Sequence, residues 1–125
     1  MSGRLTTHVL DMSVGGPAVG FRIELWRLGG ASGPVGSEAA VRIKEIRTNA
    51  DGRADGPLLQ GEELQAGLYE LVFAAGEYFT SRRGVAENEL FLDAVPVRFR
   101  VGDTGAHYHV PLLVAPGGYS TYRGS

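Results

Sequence analysis

No cysteine occurs in the 125 residues, so the chain can hold no disulfide, no thiol redox pair and no thiolate metal site. Cytosolic life is therefore permitted, though not required. Charge of one sign is also lacking: twelve Lys and Arg face fourteen Asp and Glu, for a formal net charge of −2, with no basic run. The electrostatic footprint of a nucleic-acid binder is missing, and nucleic acid is not expected as a partner. Long apolar runs are absent too. The opening residues, Met1-Ser2-Gly3-Arg4-Leu5-Thr6-Thr7-His8, lack the apolar centre of a signal peptide, and no stretch is long enough to span a bilayer. These features predict a soluble cytoplasmic protein with no membrane partner.

What is abundant is punctuation. Nineteen glycines and six prolines are too many for a helical bundle of this length. They fall between short β-branched and aromatic runs, a pattern that predicts an all-β chain. At this length one domain over residues 1–125 is expected, able to bury about two thirds of the surface its unfolded form exposes.

Residues 6–10 read as a short strand ending at the turn Val14-Gly15-Gly16-Pro17. Residues 21–28 alternate, with Phe21, Ile23 and Leu25 on one face and Arg22, Glu24 and Trp26 on the other, as in a half-buried strand. Residues 29–40, rich in Gly, Ser and Ala, show no periodicity and are expected to form a mobile loop. A strand resumes over 41–48 and turns at Asn49-Ala50-Asp51-Gly52, from which Arg53 is expected to start the next strand. Gly67 starts a further expected strand that runs to Phe73, and 74–84 make the best helical candidate. Val95, Val97, Phe99 and Val101 alternate against Pro96, Arg98 and Arg100, the proline arguing for an edge or strand-start position. The run from His107 to Val114, a Pro-Gly-Gly turn and Tyr119-Ser120-Thr121 read as strand, turn, strand, with the tail Tyr122-Arg123-Gly124-Ser125 continuing the last strand. About seven or eight strands with one short helix is a two-sheet β-sandwich pattern.

The chemistry-bearing residues are few. His107 and His109 are two apart on a strand and share one face, with Tyr108 and Val110 on the other. By themselves they could be surface residues, or with His8 a three-histidine zinc site. No Asp or Glu stands at a spacing that compels a fourth ligand. Taken singly, His8 reads as a half-exposed strand residue and Arg53 as a solvated charge at a turn end.

Five segments, in order, carry a resemblance. Leu5-Thr6-Thr7-His8-Val9-Leu10-Asp11 followed by Gly15-Gly16-Pro17-Ala18, then Thr48-Asn49-Ala50-Asp51-Gly52-Arg53 with Gly76-Glu77-Tyr78-Phe79, and finally the terminal Tyr122-Arg123-Gly124-Ser125 resemble the transthyretin-related family. The tail is similar to that of its enzyme branch, the 5-hydroxyisourate hydrolases. The likeness spans nearly the whole chain. It departs from the family in the length of residues 29–40 and at Gly16, where a larger polar residue is common.

The resemblance implies a transthyretin-like sandwich and hydrolysis of 5-hydroxyisourate to 2-oxo-4-hydroxy-4-carboxy-5-ureidoimidazoline in urate catabolism. It implies no metal or other cofactor. His8 and His109 would activate water and transfer protons, with neither singled out as the base. Arg53 would anchor substrate and oxyanion, Tyr122 and His107 would contact the substrate, and Ser125 would orient a histidine or the water. It further implies a homotetramer, a dimer of dimers whose faces meet to form clefts. Two readings without catalysis stand beside it: a small-ligand carrier like the family's other branch, and a β-sandwich interaction module.

Overall fold

The computed structural model describes residues 3–29 and 40–124. The expected loop at 29–40 thus falls almost wholly outside the described residues, as does Ser125. Nine strands, one α-helix and two single-turn 3-10 helices (Gly61–Glu63 and Glu87–Glu89) are described: β1 (Arg4–Asp11), β2 (Gly16–Pro17), β3 (Arg22–Gly29), β4 (Val41–Arg47), β5 (Leu59–Gln60), β6 (Gly67–Phe73), α1 (Ala75–Arg83), β7 (Val95–Val101), β8 (His107–Ala115) and β9 (Gly118–Thr121). Two of these, β2 and β5, are two-residue pairings on β1. The remaining seven strands make the two-sheet all-β sandwich.

One sheet runs β2-β1-β8-β9 with β5 also on β1; the other runs β4-β3-β6-β7. Pro96 lies on β7, an edge strand, where a residue without an N–H costs no ladder bond. The strand alternation sets the core. On β1, Leu5, Val9 and Asp11 are fully buried, while Arg4, Thr6, His8 and Leu10 take the other face. Phe21, Ile23 and Leu25 pack inward with Leu71, Phe73, Leu112 and Val114. Trp26 sits on the outer face of β3, its Nε1–H donating to Glu24 at 3.0 Å.

Helix α1 covers one end of the core through Ala75, Tyr78 and Phe79, with the Tyr78 ring 4.9 Å from that of Phe21. It is tied to the end of β1 by Asp11, whose side chain is 0% exposed. One carboxylate oxygen accepts from the Ser13 amide at 2.9 Å and from the Ser13 hydroxyl; the other accepts from Tyr78 Oη at 2.8 Å and Arg83 Nε at 3.1 Å. Burial alone would raise the Asp11 pKa, but the bonds from Ser13, Tyr78 and Arg83 outweigh it and hold the carboxyl below its ordinary range. A depressed folded-state value contributes stability above the unfolded value and loses it as pH falls through the folded one. Asp11→Asn replaces an acceptor with a donor facing Tyr78 or Arg83. It is expected to cost about 2 kcal/mol in urea denaturation at neutral pH, with the gap to wild type narrowing in acid.

One local expectation is revised. Arg53 does not begin a strand: it forms an isolated antiparallel bridge with His8, and β5 starts only at Leu59, after Asp55-Gly56-Pro57 interrupts extended pairing. The tail does carry on from β9, which ends at Thr121: Gly124 bridges His109 in the same antiparallel register that pairs Thr121 with Leu112.

Candidate active site

The histidines, Arg4 and Thr6 are placed by one pairing. Strands β1 and β8 run parallel, with Arg4 opposite His107, Thr6 opposite His109 and His8 opposite Pro111. Because alternate residues share a face, Arg4, Thr6 and His8 stand beside His107 and His109 on the outer surface of this sheet. Tyr108 and Val110, on the opposite side, are buried.

Arg53 reaches the same surface through its turn. Asn49 Oδ1 accepts the amides of Asp51 at 2.9 Å and Arg53 at 3.1 Å, closing the loop on its own side chain. Gly52 has φ +76°, and a Cβ there would run into the Val9 carbonyl oxygen, so the turn lies flat against β1 only because the residue is glycine. The Val9 amide then donates to the Gly52 carbonyl at 2.8 Å, and Arg53 is delivered alongside His8.

The carboxy-terminal segment closes the other side. Gly124 N–H donates to the His109 carbonyl at 2.8 Å. A Cβ on Gly124 would lie 2.5 Å from His109 Cδ2, so this close approach to the imidazole also requires glycine. Arg123 turns away from the histidines: its guanidinium stacks 4.3 Å from the Tyr108 ring centroid, and Nη2 donates to the His107 carbonyl at 3.2 Å.

The resulting cleft, about 460 Å³, is lined by Arg4, Thr6, Arg53, His107, His109, Tyr122 and Gly124. Of the predicted site residues, Arg53, His107, His109 and Tyr122 therefore converge. His8 stands at its margin, its Nε2–H donating to the Asp51 carbonyl at 2.8 Å. Ser125 lies outside the described residues. Thr6 and Arg4 were not singled out from sequence, whereas Gly124 belongs to the terminal motif that was. Thr6 shares the alternation of His8, but only the parallel register shows that it faces His109.

Both histidines of β8 are held toward the neutral state. Burial lowers the His109 pKa below the ordinary 6.5, and the charges of Arg53, His107 and His8 add to the effect. Burial and the neighbouring Arg4 and Arg123 lower that of His107 in the same direction. A neutral imidazole in a cation-lined cleft can accept a proton near neutral pH, while a guanidinium across from it can stabilise a developing oxyanion. The rings do not converge as a ligand set: His107 Nε2 and His109 Nδ1 both meet Thr6, and among the described residues no three His, Cys, Asp or Glu side chains are grouped to hold a metal ion. No described helix is long and apolar enough to cross a membrane.

The chain is similar over nearly its whole length to known proteins. 5-Hydroxyisourate hydrolase 2 of Rhizobium meliloti (strain 1021) is 52% identical over 124 residues, which cover 99% of this chain and 98% of that protein. The structure of Klebsiella pneumoniae 5-hydroxyisourate hydrolase superposes with a TM-score of 0.76 at 35% identity, covering 98% of this chain and 94% of that one. The crystal structure of (S)-allantoin synthase gives a TM-score of 0.88 at 46% identity; 99% of this chain is covered but only 44% of the synthase. With the sandwich, the histidine-bearing strand pair and the glycine-dependent turn already in place, the sequence pattern of the HIUase/Transthyretin family matches residues 5–124, and the chain belongs to that family.

Proposed function

We propose that this protein is an enzyme that hydrolyses 5-hydroxyisourate to 2-oxo-4-hydroxy-4-carboxy-5-ureidoimidazoline in urate catabolism, acting as a single domain over residues 1–125. The observation that carries the reading is the convergence of His107, His109, Arg53 and Tyr122 on one cleft, in a chain 52% identical over nearly its whole length to a 5-hydroxyisourate hydrolase. Each residue type suits a step. His109, as the neutral imidazole, takes a proton from water as the oxygen attacks the ring carbonyl carbon. Arg53 binds the carbonyl oxygen and stabilises its negative charge through the planar fork of N–H donors. When the tetrahedral intermediate collapses, the ring C–N bond breaks, the nitrogen takes the proton back from the imidazolium, and the carboxylate is released. His8, beside Arg53 and fixed by Asp51, assists proton transfer. His107 and Tyr122 contact the substrate, and Ser125 orients a histidine or the water. No step calls on a metal.

The cleft is open on a sheet face that cannot by itself enclose a flat ligand. Tyr122 is 59% exposed, and the edge strand β9 is exposed along its length. A homotetramer, a dimer of dimers in which two such faces meet, would cover both. A fold that needs no thiol suits a reducing compartment, and the cytoplasm is the proposed location.

The ultraviolet absorbance of freshly generated 5-hydroxyisourate tests the activity. Decay should accelerate on adding protein, to the same extent after treatment with a chelator, and light scattering on the active sample should report four chains. Decay at the spontaneous rate would overturn the reading, loss of activity with chelator would overturn the metal-free mechanism, and an active monomer would overturn the assembly.

A further inference from the structure

Thr6 sits directly opposite His109 in the parallel ladder. Its Oγ1 lies 2.8 Å from His107 Nε2 and 2.8 Å from His109 Nδ1, so a single oxygen meets a ring nitrogen of each. A hydroxyl has one proton to give. At most one of the two imidazoles can therefore accept from Thr6, and the other must donate its own N–H.

The alternatives differ in what His109 offers the cleft. If Thr6 donates to His109 Nδ1, the imidazole proton resides on Nε2, and the neutral ring has no lone pair left for water. If His109 Nδ1–H donates to Thr6, Nε2 keeps its lone pair. The charges around the ring favour the second arrangement. Arg53 lines the same cleft as His109 and faces it as a cation, which attracts a lone pair and repels an N–H. On its Cδ2 side the ring abuts Gly124, so it cannot swing away from this choice without displacing backbone. The Thr6 proton is then directed to His107 Nε2, an acceptor in the neutral imidazole. Among the described residues, the other groups facing the pair are Arg4 and His8 from β1 and Tyr122 from the carboxy-terminal segment, with the Arg123 charge close to His107, and none of them is a carboxylate that would reverse the argument.

We propose that Thr6 is a positioning residue: it accepts Nδ1–H from His109 and donates to His107 Nε2, reserving His109 Nε2 as the proton acceptor of the cleft. The catalytic consequence rests on the hydrolase reading; the tautomer does not. A serine would keep the hydroxyl, and a valine would keep the β-branched shape and remove it.

The tautomer can be read directly from long-range nitrogen–proton NMR spectra of the protein labelled with ¹⁵N-histidine, which contains three histidines. Wild type near neutral pH should show His109 protonated on Nδ1. Thr6→Val should move His109 toward the Nε2–H form and lower turnover of 5-hydroxyisourate by roughly ten- to a hundredfold, with more of the loss in kcat than in KM. Thr6→Ser should restore the tautomer and most of kcat. Wild-type His109 protonated on Nε2 would overturn the proposal, as would a folded valine variant with unchanged tautomer and kcat. Should the valine variant fail to fold, the wild-type and serine spectra still decide. A wild-type protein inactive on 5-hydroxyisourate would remove the hydrolase reading while the spectra continued to test the role of Thr6.

Discussion

His109→Ala is expected to lower turnover of 5-hydroxyisourate by at least about a hundredfold, the lower end of what a positioned general base supplies. The fold should survive, because the His109 side chain lies on the outer face of its sheet while the core is filled from Tyr108, Val110 and Leu112 on the other. The pH dependence gives a second check with a definite sign. His109 must be neutral to accept a proton, and burial, Arg53, His107 and His8 all push its pKa below 6.5. The acid limb of kcat/KM should therefore fall below 6.5, with activity retained above it and lost as His109 gains a proton. Near-wild-type activity in the alanine variant, or an acid limb above that value, would make His109 a structural residue. His8→Ala should also lose activity, because His8 is the histidine fixed beside Arg53.

Arg53→Lys should cost about a hundredfold in kcat, the order seen when one oxyanion donor is removed. The substitution keeps the positive charge and removes the planar fork, so the two explanations for Arg53 predict different results. If only charge mattered, lysine would serve. Stability should hardly change: the Arg53 side chain is exposed, and the turn that carries it is held by Asn49 Oδ1 and by backbone bonds to β1. A fully active lysine variant would reduce Arg53 to a solvated charge.

The strands were legible because their signal is local. Alternation in residues 21–28 and 95–101 needs only neighbours in sequence, and both segments are strands with the expected faces inward. The helix, expected at 74–84, is Ala75–Arg83. The Asn-Ala-Asp-Gly turn was visible because its side chain and backbone requirements lie within a few residues of each other. The types of residue in the site were visible as well, but on the motif resemblance rather than on spacing, since His8, Arg53 and His109 lie far apart in the chain.

What the sequence by itself determined is the all-β class, the faces of its strands and the set of residues able to do proton transfer and anion binding. Only the tertiary structure decided which of these meet. The parallel register of β1 on β8 puts Thr6, not another β1 residue, against His109, and a shift of one residue would have turned Thr6 into the core. Likewise Arg53 lies beside His8 because Gly52 lets the turn pack against Val9, not because a strand begins there. Contacts between residues a hundred apart depend on the closing of the whole sandwich, and strand periodicity carries no information about which partner a face will find.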